Sequence, residues 1–251
     1  MVLIMEYDGT KYNGFQLQAE QPTVQGEIES ALRKLTGEKI RVLAASRTDT
    51  GVHAREQVVS FRTTSSLPEP KFVSGLNHYL PEDIAVKDVY RVRDTFNVRR
   101  GAASREYHYL ILNRSARSPF RHRFAHHVPG RLDVAAMNEA CRCLIGEHDF
   151  ASFATALEGK TKSTMRRVYQ ADVTRDGDLV TFRIVASSFL PHQVRNTAGA
   201  LIRAGLGKMT ADEFRSILEA GKPGLAGPTA PACGLCLMRV NYPHSWEELR
   251  N

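Results

Sequence analysis

Apolar and polar positions change period along the chain, and the changes mark out elements. Val2 to Tyr7 is an apolar run closed by Asp8-Gly9, which predicts a strand ending in a turn. Gly14 to Gln18 predicts a loop. From Thr23 the apolar residues Val24, Ile28, Ala31, Leu32 and Leu35 recur at helical spacing, and Gly37 closes the helix. Two β-type runs follow, Ile40 to Ala45 and Gln57 to Phe61. Pro70 to Tyr79 predicts a shorter helix, stopped by Pro81, and Ile84 to Val92 predicts an alternating strand.

The second half repeats this order of element types. Ser104 to Asn113 alternates strongly, with Tyr107, Tyr109 and Ile111 on one face and His108, Leu110 and Leu112 on the other. Val134, Met137, Ala140, Cys141 and Leu144 mark a helix expected to end at Gly146. Arg166 to Arg175 and Leu179 to Ser187 form a hairpin around Asp176-Gly177-Asp178. Pro191 to Gly205 is a helix with Val194, Ala198, Leu201 and Ile202 inward. Thr210 and Glu213 form a capping box for another, and Leu235 to Tyr242 is a last strand. Strands first, helices interspersed, then the same again: the class is α+β, with two similar halves expected at 1–102 and 103–251.

Composition adds a partner to this picture. The chain has 251 residues, 42% of them hydrophobic and 24% charged, enough to bury a real core. Lys and Arg number 34 against 27 Asp and Glu, a net charge of +7 that suits a polyanion as well as plain solubility. Part of the excess is concentrated. Arg91, Arg93, Arg99, Arg100 and Arg105 crowd the crossover between the halves. The segment from Arg114 to His127 carries Arg117, Arg121 and Arg123 with two phenylalanines and no acidic residue. The run Met1 to Met5 is too short and lacks the basic flank for a signal peptide, and no run approaches a membrane span, so the cytoplasm is expected.

Chemistry has few candidates. Ser46 to Ala54 lies between two β-type runs, and its Asp, Thr and Gly predict a short loop that holds one carboxylate, Asp49, with Arg47 two residues before it. Asp49 reads there either as a turn cap or as a lone catalytic carboxylate that a nearby arginine keeps ionised. Glycoside hydrolysis by water normally needs two placed carboxylates, and no second one stands near Asp49 in sequence. Cys233-Gly-Leu-Cys236 has zinc-like spacing, but Cys141 and Cys143 sit two apart in a helix and face apart, so packed thiols are expected rather than a metal. Ala154 to Thr161 is similar to a phosphate-binding loop with Ala154 in place of its first glycine, so no nucleotide cofactor is expected.

Taken in order, these segments resemble a known family. Arg47-Thr48-Asp49-x-Gly51-Val52-His53-Ala54 looks like the active-site motif of the TruA family of tRNA pseudouridine synthases. Glu6-Tyr7-Asp8-Gly9-Thr10-x-Tyr12-x-Gly14-x-Gln16 and Thr23-Val24-Gln25-Gly26 resemble its first strand, loop and helix start. Asn77-x-x-Leu80-Pro81, Tyr107-x-Tyr109, His148-Asp149-Phe150, Phe189-x-x-His192-x-Val194-Arg195-Asn196 and Gly227 to Leu235 follow in the family's order. Each is short; their succession over nearly the whole chain is specific.

The resemblance implies two α/β subdomains sharing a continuous, mainly antiparallel sheet, with the active cleft at the seam, and a homodimer. It implies isomerisation of uridine to pseudouridine at positions 38, 39 and 40 of the tRNA anticodon stem-loop. The reaction needs neither cofactor nor metal. Asp49 would then be the catalytic carboxylate, attacking C1′, adding to C6 or removing the 2′ proton. Arg195 matches the arginine that pairs with it, and Arg47 the one that helps displace the base. Tyr107 matches the tyrosine that stacks on the target uracil, and Leu235 an apolar pocket residue. Arg99, Arg100, Arg121 and Arg123 would hold tRNA phosphates. Departures are few: Phe15 stands where tryptophan is usual, Asn97-Val98 where His-Ala is usual, and Ser46 where a glycine stands. A catalytically silent RNA-binding protein of the same fold is the alternative reading.

Overall fold

Local signals and burial agree over most of the chain. In the computed structural model, which describes residues 1–155 and 163–250, the chain divides into two units. The first joins Met1–Arg105 to Leu237–Asn251, and the second is Glu106–Cys236. The division therefore differs from a single boundary after residue 102, because most of the last strand, from Leu237 on, and the residues beyond it belong to the first unit. Aromatic packing shows why. Trp246 stacks on Tyr90 at 5.5 Å and meets Tyr242 and Phe96 at 5.0 and 6.0 Å, so the tail shares that unit's apolar surface.

In the first unit β1 (Val2–Tyr7) is buried along nearly its whole length, as its unbroken apolar run requires. It pairs antiparallel with β3 (His53–Ser60) on one side and β4 (Ile84–Tyr90) on the other. The short β2 (Leu43–Ala44) adds to β3, and β10 (Leu235–Asn241) follows β3 in the strand order. Helix α1 (Val24–Thr36) begins where the Thr23 hydroxyl accepts the Gly26 amide and ends at a left-handed Gly37, and it buries Val24, Ile28, Ala31 and Leu32. Helix α2 (Glu69–Tyr79) buries Phe72 and Leu76.

The second unit carries β5 (Ser104–Leu112), β7 (Gly146–Asp149), β8 (Met165–Asp176) and β9 (Leu179–Ala186) in the order β5-β9-β8-β7. A short β6 (His126–His127) lies parallel to β5. Tyr107, Tyr109 and Ile111 are buried on β5 as alternation predicts. Among the described residues three α-helices complete it: α3 (Val134–Arg142), α4 (Gln193–Gly205) and α5 (Ala211–Ala220), the last opened by the Thr210–Glu213 capping box. One boundary is corrected. The helix expected to run to Gly146 stops at Arg142, and Gly146 instead opens β7, paired with Val168 of β8. Each unit is thus a mainly antiparallel sheet with helices, the α+β class.

Candidate functional site

The Asp49 segment lies outside regular structure, between β2 and β3, and the first unit fixes it through its backbone. The Phe15 amide donates to Thr48 O at 3.0 Å, and the Gly51 amide donates to Tyr12 O at 3.2 Å. The Val52 amide closes a turn onto Asp49 O at 3.1 Å. Gly51 takes φ 76 at the third position of that turn, which glycine adopts without penalty. The approach at Gly14 is closer. It holds φ 81, and a Cβ there would stand 2.7 Å from Thr48 O. Glycine lets the residue 8–16 segment lie directly on the chain that presents Asp49.

A buried polar network holds the other side. Gln57 is 0% exposed. Its amide nitrogen donates to Ser46 O at 2.8 Å and to the Tyr7 hydroxyl at 3.2 Å, and its oxygen accepts the Ser46 amide at 3.3 Å. The Tyr7 and Thr48 hydroxyls are 2.8 Å apart. His53 is buried, and its Nδ1 accepts the Gly9 amide at 3.1 Å. Ser46 has no positive φ, so its presence in place of a family glycine imposes no backbone strain.

Arginine surrounds this loop in two different roles. Arg47 is exposed; desolvation, and after it the like charge of Arg99, lowers its guanidinium below the ordinary value, so these two cations are neighbours. The Asn97 carboxamide oxygen accepts both the Arg99 and Arg100 amides at 3.0 Å and fixes the turn that displays them. Arg105, grouped by sequence with the basic crossover, is only 7% exposed. It donates to Arg99 O at 2.7 Å and Ala45 O at 3.1 Å, tying the Arg99 turn to the base of the Asp49 loop.

The second unit holds the remaining predicted residues. Tyr107 is 5% exposed and meets Phe189 edge-to-face at 5.2 Å, which fixes its ring plane. Arg195 sits in the first turn of α4. Its Nε donates to Ala230 O at 2.9 Å, and the Ala230 amide donates back to Arg195 O at 3.2 Å, so the guanidinium is aimed by the residue 227–231 segment. Just before it, His192 holds φ 59, one of two non-glycine residues with positive φ among those described. Leu235 is buried where β10 begins. Arg121 and Arg123 are exposed on the 114–127 loop, whose tip shows Phe120 at 91% exposure.

Other candidates lie elsewhere. Among the described residues no three His, Cys, Asp or Glu side chains gather as a metal site, and burial raises the pKa of Cys141, Cys143 and Cys233, which keeps them protonated. Gly159-Lys160-Thr161 lies outside the described residues. No helix among those described is long and apolar enough to cross a membrane. Sequence reasoning missed Gln57, Arg105 and Phe189 as supports. Only Phe189 had a signal, its place at the head of the Arg195 motif.

Comparison with known proteins identifies the family. The model of the tRNA pseudouridine synthase family matches residues 3–99 and 140–243. The chain is 44% identical over 239 residues to tRNA pseudouridine synthase A of Brevibacillus brevis, covering 95% of this chain and 98% of that one. It is 43% identical over 242 residues to the protein of the same name from Geobacter sulfurreducens, covering 96% and 98%. To that of Caldicellulosiruptor bescii it is 40% identical over 242 residues, covering 96% and 99%. The chain belongs to the tRNA pseudouridine synthase family.

Proposed function

We propose that the protein isomerises uridine to pseudouridine in tRNA, at positions 38, 39 and 40 of the anticodon stem-loop. The observation that carries the reading is a single carboxylate, Asp49, on a loop whose backbone is locked from both sides, in a chain of this family. The N1–C1′ bond breaks, the uracil turns over, C5 bonds to C1′, and the proton leaving C5 is balanced by one gained at N1. Asp49 works ionised, as attacking group at C1′ or C6 or as base at the 2′ position. Arg195 is the arginine assigned to pair with it. Arg47 helps displace the base, Tyr107 stacks on the uracil, and Leu235 lines the pocket. Arg99, Arg100, Arg121 and Arg123 hold phosphates. Asp49 and Arg47 belong to the first unit, and Arg195, Tyr107 and Leu235 to the second. The protein acts as a homodimer in the cytoplasm; light scattering after size exclusion tests the dimer.

The deciding experiment is tritium release from tRNA carrying 5-tritiated uridine, for wild type and Asp49→Asn. Release by the wild type alone, with tRNA bound by both, supports the reading. Binding without release by either would make the protein a catalytically silent RNA-binding member of the fold.

A further inference from the structure

We propose that Asp83 is a positioning residue for Asp49, acting through Tyr12; this rests on the function proposed above. The two side chains meet although they stand 71 residues apart in sequence. Asp83 lies in the short connection between α2 and β4, and that connection is itself fixed. The Asn77 carboxamide near the end of α2 accepts the Val86 amide at 2.8 Å and donates to Val86 O at 2.8 Å, which ties the helix to the strand. The Ile84 amide closes a turn onto Pro81 O at 3.0 Å. From this base Asp83 holds residues 8–12 at two points. Its carbonyl accepts the Asp8 amide at 2.9 Å, and its carboxylate accepts the Tyr12 hydroxyl at 2.5 Å.

Tyr12 passes that hold to the reacting loop. Its carbonyl accepts the Gly51 amide at 3.2 Å, and Gly51 lies in the turn that Val52 closes onto Asp49 O at 3.1 Å. One residue thus carries both ends of a brace: its side chain is held by Asp83, and its backbone holds the turn that presents Asp49. Tyr12 is buried. Phenylalanine would fill the same space, so what the hydroxyl adds is direction. A hydroxyl given to a carboxylate is a charge-assisted bond, about twice as strong as one between neutral groups. Burial, and after it the bond to Asp83, raises the pKa of this phenol above its ordinary value, so it stays a donor at any working pH. The other partner of Asp83 is Lys11 at 3.4 Å, whose side chain is 73% exposed and adds little. A carboxylate that must meet one atom of the nucleotide tolerates small displacement only, since about 1 Å of misplacement costs on the order of 10²-fold in rate.

The test compares Tyr12→Phe, Asp83→Ala, their double variant and Asp83→Asn. Tritium release gives kcat and KM, and fluorescence anisotropy gives the affinity for labelled tRNA, at a temperature where circular dichroism shows each variant folded. The brace predicts that Tyr12→Phe and Asp83→Ala each lower kcat about tenfold or more, with KM and affinity unchanged. The double variant is no slower than the slower single one, because both changes break the same bond. Asp83→Asn keeps an oxygen that can accept the hydroxyl and recovers most of kcat. Tyr12→Phe is nearly isosteric, so its kcat decides the matter even if Asp83→Ala fails to fold. Variants that melt earlier but turn over at the wild-type kcat while folded overturn the positioning role, and so do single losses that multiply in the double variant. A wild type that releases no tritium overturns the proposed function and the brace with it.

Discussion

The loop at residues 45–52 and the loop at residues 114–127 both carry arginine, yet the chain treats them differently. The first is bound at successive points by other segments: Phe15 and Tyr12 grip its backbone, and Gln57 and Tyr7 fill the space behind it. The second is anchored at its neck, where Asn113 donates to Val128 O at 2.9 Å and to Gly130 O at 2.6 Å and β6 joins β5. Beyond the neck its backbone turns on itself, with the Ala125 amide donating to Arg121 O at 2.9 Å, while Arg121 and Arg123 reach solvent. A group that must meet one atom from one direction needs its backbone fixed. A group that only contributes positive potential needs exposure and little else. The difference predicts what each loop tolerates.

The largest effect falls on the fixed loop. Asp49→Asn should reduce tritium release by on the order of 10³-fold or more while tRNA affinity holds. Next is the clamp. Gly14→Ala places a methyl against Thr48 O in a backbone region that alanine resists; moving the Asp49 loop should lower kcat by roughly 10²-fold. The midpoint of thermal unfolding should fall with it, by about 1–2 kcal/mol of stability. An unchanged kcat would show that the clamp does not position Asp49. Gln57→Leu removes the bonds that Gln57 makes to the Ser46 carbonyl and amide and to the Tyr7 hydroxyl and should cost about 1–3 kcal/mol in urea unfolding.

The exposed loop should answer in a different measurement. Arg121→Gln with Arg123→Gln should raise KM for tRNA and make the salt slope shallower by about 1–2, with unfolding unchanged. The smallest effect is at the neck. Burial, and then the neighbouring His127, lower the pKa of His126 below its ordinary value of 6.5. The unfolded imidazole therefore takes a proton first, so its contribution to stability is complete above about pH 6.5 and is lost as pH falls below that. His126→Gln should flatten that slope in unfolding curves measured between about pH 5 and 7.

What could be read in advance was local. The Thr23 cap, the Gly37 stop and the Thr210–Glu213 box each sit within a few residues of the element they define, and each is where the pattern put it. The Asp49 loop was legible for the same reason, as polar residues between two apolar runs. Its supports were not. Gln57 looked like the start of a strand, yet its partner Tyr7 is 50 residues away. Arg105 looked like one more surface cation, yet one of its acceptors is 60 residues away. Nothing in a strand's alternation says which polar residue will be buried against a distant carbonyl. The misplaced end of α3 has a related cause: Gly146 punctuates the chain whether it stops a helix or opens a strand, and its pairing with Val168 decides.

The return of Leu237–Asn251 to the first unit has a consequence for biosynthesis. A chain emerging from the ribosome can complete the second unit from a single unbroken stretch. The unit that holds Asp49 lacks its β10 residues and the Trp246 aromatic cluster until the segment from Leu237 onward is translated. A prematurely terminated product would therefore carry the whole Asp49 loop on an unfinished sheet, with Tyr90 and Phe96 uncovered.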